Sequence, residues 1–515
     1  MTTRLAARCI FTAALITAST WALPSAAACP VDNPHKQTLQ DPVFRLLAAQ
    51  PVCAKDAVDF VGALKKDGVR LEPTMVNFTG FHNPGAFFIF EIASREGGPF
   101  PIARGDMVFG HFTTVTRDNR LVSVKGRGLV IELIAWDPAK QFYNFYELNG
   151  GKWVYRGDSK SILDDIQLLH RKRAASAEIF GDRLRCSGCH VNGGLVQKEL
   201  APPHNDWFVR QRPLPLDGLK PDAFVQSRLD ELVDAEELRA LVAASPRRLA
   251  DSPGYRKVLA DPNRSMQERL RPLFCPVEIN IESDASPFDD KKPTVRVPSA
   301  FFVDPRLATE EVSVRRQDYE AALAKLKSSL PATTPKRTDA DHGWLTPAKA
   351  NSDIVAVDAL IEQGVISADF ATAVLTVDFP NPVFSPTRCS LLKLVPDKDG
   401  ADFVARFQDN LRAANAPGAQ ELLDHLREPA AHKARALAFV QTCRDKAQEP
   451  AAVLAWTSLL AQRRAEVSAS EISQNVQGHI LEDDDDPDQT RVVFPLIQPP
   501  AKAGSLKLTT TCDVQ

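Results

Sequence analysis

Beyond its first 28 residues the chain has no apolar run approaching the roughly 18 residues of a membrane-spanning helix. That argues against an integral membrane segment in the mature chain. It also lacks a basic excess. With 62 Lys and Arg against 65 Asp and Glu, the net charge is −3, which leaves no electrostatic footprint for nucleic acid. Glycine is scarcer than proline, 25 against 38, which favours ordered turns over flexible linkers. No internal repeat is visible, so solenoids and arrays are excluded. The acidic block Glu482 to Asp488 lacks the alternating Asp-x-Asp spacing and central glycine of an EF-hand loop and reads as a solvated tail.

What is present begins with an export signal. Arg4 and Arg8 precede a mostly apolar stretch from Cys9 to Leu23, and Ser25-Ala26-Ala27-Ala28 supplies an Ala-x-Ala cleavage site. Residues 1–28 are therefore expected to leave, and the mature protein to be periplasmic or otherwise exported. Cleavage would make Cys29 the first residue and a possible lipid anchor, although the position three before it is Ala26 rather than leucine. Without Cys9, Cys186 and Cys189, the nine cysteines reduce to Cys29, Cys53, Cys275, Cys389, Cys443 and Cys512. An even set suits disulfide bonds in an oxidising compartment. Proximity favours Cys29 with Cys53, leaving the other four to pair among themselves.

The pattern along the chain predicts α+β architecture, with a β-rich antiparallel domain over 29–212 followed by a larger, mainly helical region of unknown role over 213–515. Helical spacing opens it at Val43, Leu46 and Leu47, then at Val58, Phe60, Val61 and Leu64. Short strands follow at 75–78, 86–91, 107–116, 121–125, 129–136, 142–148 and 153–156, suggesting an antiparallel sheet or small barrel. The apolar run 129–136 carries Glu132 inside it. Asn149-Gly150 between aromatic strands marks a hairpin. Ser161 and Asp164 resemble the start of a capped helix. Beyond 212 the helical pattern includes Leu238, Leu241 and Val242. The segments 275–281 and 295–303 read as extended, 319–330 as a helix, 331–350 as a linker, and 451–467 as a long helix.

The residues that carry chemistry are Cys186-Ser187-Gly188-Cys189-His190. Two thiols two residues apart with histidine next form the attachment signature of a c-type haem. Each thiol adds to one vinyl group, and the following imidazole projects along the haem normal to ligate iron. A zinc site needs four ligands, and no second Cys-x-x-Cys or His-x3-5-His pair accompanies these. A thioredoxin-like pair needs a strand–helix context that is not evident here. Gly193-Gly194 would let the backbone pass close to a porphyrin, and Arg183 and Arg185 could pair with its propionates or be solvated surface charges.

With its export signal, the 186–190 motif resembles exported bacterial c-type cytochromes. That resemblance implies one haem c per chain, with Cys186 and Cys189 as thioether attachments and His190 as metal ligand. A β-rich segment over 73–207 ending in this motif is similar to the hydroxylamine-oxidising cytochromes with a lysine-cross-linked haem and to their NO-binding relatives. Lys125 and Lys140 are the lysines of the strand region before the hairpin, but neither sits in a matching motif, so no cross-link is carried over. The rival is the small helical cytochrome c, with Met266 as distal ligand. Against it, Ser265 reads as an N-cap that puts Met266 in a helix's first turn.

Three functions follow from this reading. The first is electron transfer with an unknown redox partner; the others are a haem enzyme, such as an oxidase or peroxidase on a small molecule, and a gas-binding sensor. The sixth iron ligand separates them, and its candidates are His82, His111, His170, His204, Met75, Met107 and Met266. Catalytic residues are not identifiable from the sequence.

Overall fold

Two short helices, α1 (Pro42–Ala49) and α2 (Ala57–Lys66), lead into the sheet. Asp41 and Asp56 start them by accepting from Phe44 N at 3.0 Å and Asp59 N at 2.9 Å, groups that the first helical turn leaves without intrahelical partners. The computed structural model describes residues 29–34, 36–49, 53–77, 87–126, 128–164, 186, 190, 192–195, 207–210, 213–214, 216, 218–259, 261, 263–276, 279–284, 292–326, 343–383, 385–476 and 506–515. The export segment, Cys189, Arg183, Arg185, His82, His170, His204 and the acidic block lie outside these residues.

The sheet comprises β1 (Val31–Asp32), β2 (Arg70–Asn77), β3 (Phe87–Arg95), β4 (Ile102–Val115), β5 (Arg120–Ser123), β6 (Leu129–Asp137), β7 (Phe142–Asn149), β8 (Lys152–Asp158) and β9 (Lys220–Pro221). Its order is β1-β8-β7-β6-β4-β3-β2, with β5 on β4 and β9 on β5. The long strands pair antiparallel, while the two-residue strands β1 and β9 add in parallel. Among the described residues the sheet is open rather than a closed barrel. Its β7–β8 hairpin pairs Asn149 with Lys152, so the two-residue loop is Gly150-Gly151, at φ 57° and 74°. Positive φ at both loop positions is what a type I′ turn requires.

Strand alternation gives the sheet two apolar faces. One face, with Met107, Phe109, Ile131, Leu133 and Tyr146, packs on Phe60, Leu64, Val43 and Leu47 of α1 and α2. The other, with Phe88, Val108, Phe112, Ile134 and Phe145, packs against α4 (Ala235–Asp251) through Leu238, Val242 and Leu249. Between them in sequence lies α3 (Ala223–Leu229), and α5 (Pro253–Leu259) follows. Tyr255 and Val258 belong to the same core. Hydrophobic packing on the sheet therefore runs past residue 212, where the composition changes.

The rest is mainly helical: α6 (Met266–Phe274), α7 (Arg316–Leu326), α8 (Asn351–Glu362), α9 (Ala368–Thr376), α10 (Pro386–Ser390), α11 (Phe403–Ala413), α12 (Ala419–Arg427), α13 (Pro429–Lys446) and α14 (Pro450–Val476). The strand pairs β10 (Ile279–Glu282) with β13 (Thr346–Lys349), and β11 (Thr294–Val297) with β12 (Val312–Arg315), are inserted among them. Part of the stretch expected to be linker is thus strand β13. Disulfides join Cys29 to Cys53, Cys275 to Cys389 and Cys443 to Cys512. A sulfur held in the first of these is not at the same time a thiol that could carry a lipid. Among the described residues no helix is long and apolar enough to cross a membrane.

A pocket between the sheet and the 186–195 turn

β8 ends at Asp158, whose carboxylate accepts from Ser161 N at 3.0 Å and so caps a helical stretch over 159–164. The cap is Asp158 rather than Ser161, and the helix starts three residues earlier than its sequence suggests. The next described residue is Cys186. His190 N donates to Cys186 O at 2.7 Å, the four-residue spacing of a helical turn. Gly193 follows in the left-handed region at φ 73°, and its carbonyl accepts from Ser159 Oγ at 2.6 Å. A Cβ on Gly193 would lie 2.9 Å from Ser159 O, and one on Gly194 2.7 Å from Ser245 Oγ. The paired glycines, expected to admit a porphyrin, are required here by close contact with Ser159 and with α4.

Cys186 and His190 line one pocket, partly open to solvent. Sheet register builds its opposite wall. Ile92, Val108, Ile134 and Phe145 form one cross-strand row, and Phe90, Gly110, Glu132 and Glu147 form the next. Gly110 leaves a gap in the second row, over which the ring of Phe88 lies. Leu195, Leu238 and Val242 complete the lining. The wall is aromatic and aliphatic except for the carboxylates of Glu132 and Glu147. The latter is buried and paired with Arg156 at 2.9 Å.

The His190 ring packs 4.9 Å from that of Phe145, centroid to centroid, and its Nδ1 lies 2.7 Å from Gly194 O. A carbonyl oxygen can only accept, so Nδ1 carries the proton and the neutral ring keeps its lone pair on Nε2. That tautomer makes Nε2 a metal-ligating or proton-accepting atom. Cys186 is a buried thiol outside the disulfides. No family model, no curated protein and no solved structure matches the chain. The geometry therefore carries the functional argument alone.

The described candidates for a second axial ligand lie elsewhere. Met75 and His111 fall in the row Met75, Ile89, His111, Ile131, on the opposite face of the sheet. His111 Nε2 is 3.4 Å from Glu91 Oε1, and Arg228 Nη1 is 3.3 Å from the same carboxylate; all three side chains are fully buried. Met107 packs in the α1–α2 core. Met266 starts α6 behind Ser265, which caps it with Glu268 in a reciprocal box, and its sulfur is 3.4 Å from Arg269 Nη1. Lys125 pairs with Asp56 at 3.5 Å, and Lys140 reaches Asn144, Tyr155 and Asp158; neither lines the pocket. Trp207 packs 5.1 Å from Phe90 as part of the core.

Sequence reading did not single out Phe88, Phe90, Phe145 or Ser245. The two-residue spacing of Phe88 and Phe90 was the available signal for a shared strand face. Glu132 was visible as a lone charge in an apolar strand, the usual mark of a group facing a cavity or a partner.

Proposed function

We propose that this is an exported c-type cytochrome that holds one covalent haem in the sheet pocket and transfers electrons. Cys186 and Cys189 would attach it by thioethers, and His190 would ligate its iron. The observation that carries the reading is the Nδ1 bond to Gly194, which puts the lone pair of a neutral His190 on Nε2 in a residue that lines the same pocket as Cys186. When bound, the haem supplies one-electron redox chemistry. The residues of the chain do the rest. Gly194 O holds the imidazole in place. Phe88, Phe90, Phe145, Leu238 and Val242 keep water from one side and lower the local dielectric. Burial of this kind disfavours the more highly charged oxidation state. Disulfides at Cys29–Cys53, Cys275–Cys389 and Cys443–Cys512 support placement in an oxidising compartment. The redox partner would be a separate protein or small molecule.

A second reading, in which the haem binds a small molecule as sensor or enzyme, is favoured by the placement of Met75, Met107, Met266 and His111 away from the pocket. Acid–acetone extraction and a pyridine haemochrome spectrum test the shared core of both readings. The pigment should stay with the protein, and Cys186→Ala with Cys189→Ala should abolish attachment. Colour leaving with the solvent, or no haem at all, would refute both. Spectra of the ferrous protein with and without CO then separate them: no change supports electron transfer, and a new CO band supports the second reading.

A further inference from the structure

One peptide group links His190 to helix α4. Its carbonyl, Gly194 O, accepts from His190 Nδ1 at 2.7 Å, and its amide, Leu195 N, donates to Ser245 Oγ at 2.9 Å. Ser245 is 2% exposed and lies on the buried stripe of α4 with Leu238, Val242 and Leu249. On its far side the Ser245 hydroxyl meets that of Tyr143, which Arg248 also faces while stacking 4.1 Å over the ring of Trp136. The turn is held from its other sides by Ser159 Oγ on Gly193 O and by Asn192 Oδ1 on Gly194 N, at 2.6 and 2.8 Å. Glycine at 194 leaves Ser245 room to reach the peptide, since a Cβ there would stand 2.7 Å from its Oγ.

A peptide that donates through its N–H becomes a better acceptor at its carbonyl, because each bond polarises the next. A stronger acceptor on Nδ1 makes the imidazole more electron-rich at Nε2, the role that carboxylates and carbonyls play behind metal-ligating histidines. We propose that Ser245 is a positioning residue for His190, acting through the Gly194–Leu195 peptide to orient the ring and strengthen Nε2 as a donor. The proposal rests on the haem reading above. A weaker Nε2 donor stabilises the oxidised metal less, so loss of the Ser245 hydroxyl raises the reduction potential.

The experiment uses the full chain carrying its haem, as wild type, Ser245→Ala, Ser245→Thr and Tyr143→Phe. Two quantities are read: the reduction potential by spectroelectrochemical titration, and the iron–imidazole stretching frequency of the ferrous protein by resonance Raman. Ser245→Ala should move the potential positive and lower the stretch, while Ser245→Thr, which keeps the hydroxyl, should stay near wild type. Tyr143→Phe leaves the Leu195 bond in place and should shift both quantities less, in the same direction; it serves as the test if the alanine variant does not fold. Unshifted values in Ser245→Ala, or equal shifts in the alanine and threonine variants, would overturn the proposal while leaving the haem reading intact. A wild type without haem would overturn both.

Discussion

Gly110→Ala tests whether the pocket wall is assembled as the register implies. Replacing a mid-strand glycine by alanine ordinarily stabilises by about 0.5–1 kcal/mol. Here the added Cβ would stand 2.1 Å from Phe88 Cζ and 2.4 Å from its Cε1, far inside contact distance. The ring cannot slide along the sheet, because Phe90 and Phe112 flank it at 4.4 and 4.3 Å between centroids. It must lift into the cavity or leave its rotamer, and overpacking of this kind costs about 1–3 kcal/mol. Phe88→Ala alone should cost about 3–5 kcal/mol as a large buried deletion. With the ring gone, Gly110→Ala should cost nothing or stabilise, so the double variant should be more stable than the sum of the singles predicts by about 1–3 kcal/mol. Urea unfolding followed by tryptophan fluorescence measures all four corners, with Trp207 reporting from 5.1 Å beside Phe90. An equal cost for Gly110→Ala with and without the Phe88 ring would refute the reasoning, as would a stabilised single variant.

Two further outcomes are expected. Arg228→Met leaves the fully buried Glu91 carboxylate without its guanidinium and should destabilise by about 3–5 kcal/mol in urea titration, with much of this recovered by adding Glu91→Leu. Burial, with the tilted His432 ring 3.7 Å away between centroids, pushes His425 down from 6.5 to about 4. The folded state keeps this ring neutral where the unfolded chain takes up a proton, so stability should fall as pH drops from about 6.5 to about 4; His425→Gln should flatten that slope, and an unchanged slope would count against it.

Local pattern made most of the sheet legible. Local alternation located the start of β3 and the whole of β6, β7 and β8 to within a residue or two, and β4 except for its first five residues; Asn149-Gly150 marked the hairpin although the loop proper is Gly150-Gly151. The start of β2 was hidden because Arg70, Glu72 and Pro73 look unlike a strand; an edge strand tolerates them, since one side of its backbone needs no ladder partner. The sequence places the helix at 159 three residues late because Ser161 and Asp158 are both capping residue types, and the strand's end at Asp158 decides between them. The pairing of Cys29 with Cys53 followed from proximity, whereas Cys275 with Cys389 spans 114 residues and depends on how α6 meets α10.

The site divides along the same line between local and tertiary information. Cys186 and His190 are legible because four residues of spacing carry the whole geometry of one helical turn. Their surroundings are not, because Phe88, Gly110, Glu132 and Phe145 reach the pocket from four separate strands, and Ser245 reaches Leu195 from a helix fifty residues further on. The two glycines after the motif show how this misleads. Read locally, Gly193-Gly194 suggests backbone that must clear a bulky ligand; in the fold, each would-be Cβ meets a serine instead. The same positions thus constrain the turn through Ser159 and Ser245, elements that lie before and after the motif in the chain. A five-residue motif can be transplanted by sequence, but the tautomer of its histidine depends on a peptide held from a distant helix. Substitutions far from the motif in sequence are therefore the ones that should separate a ligating His190 from an ordinary one.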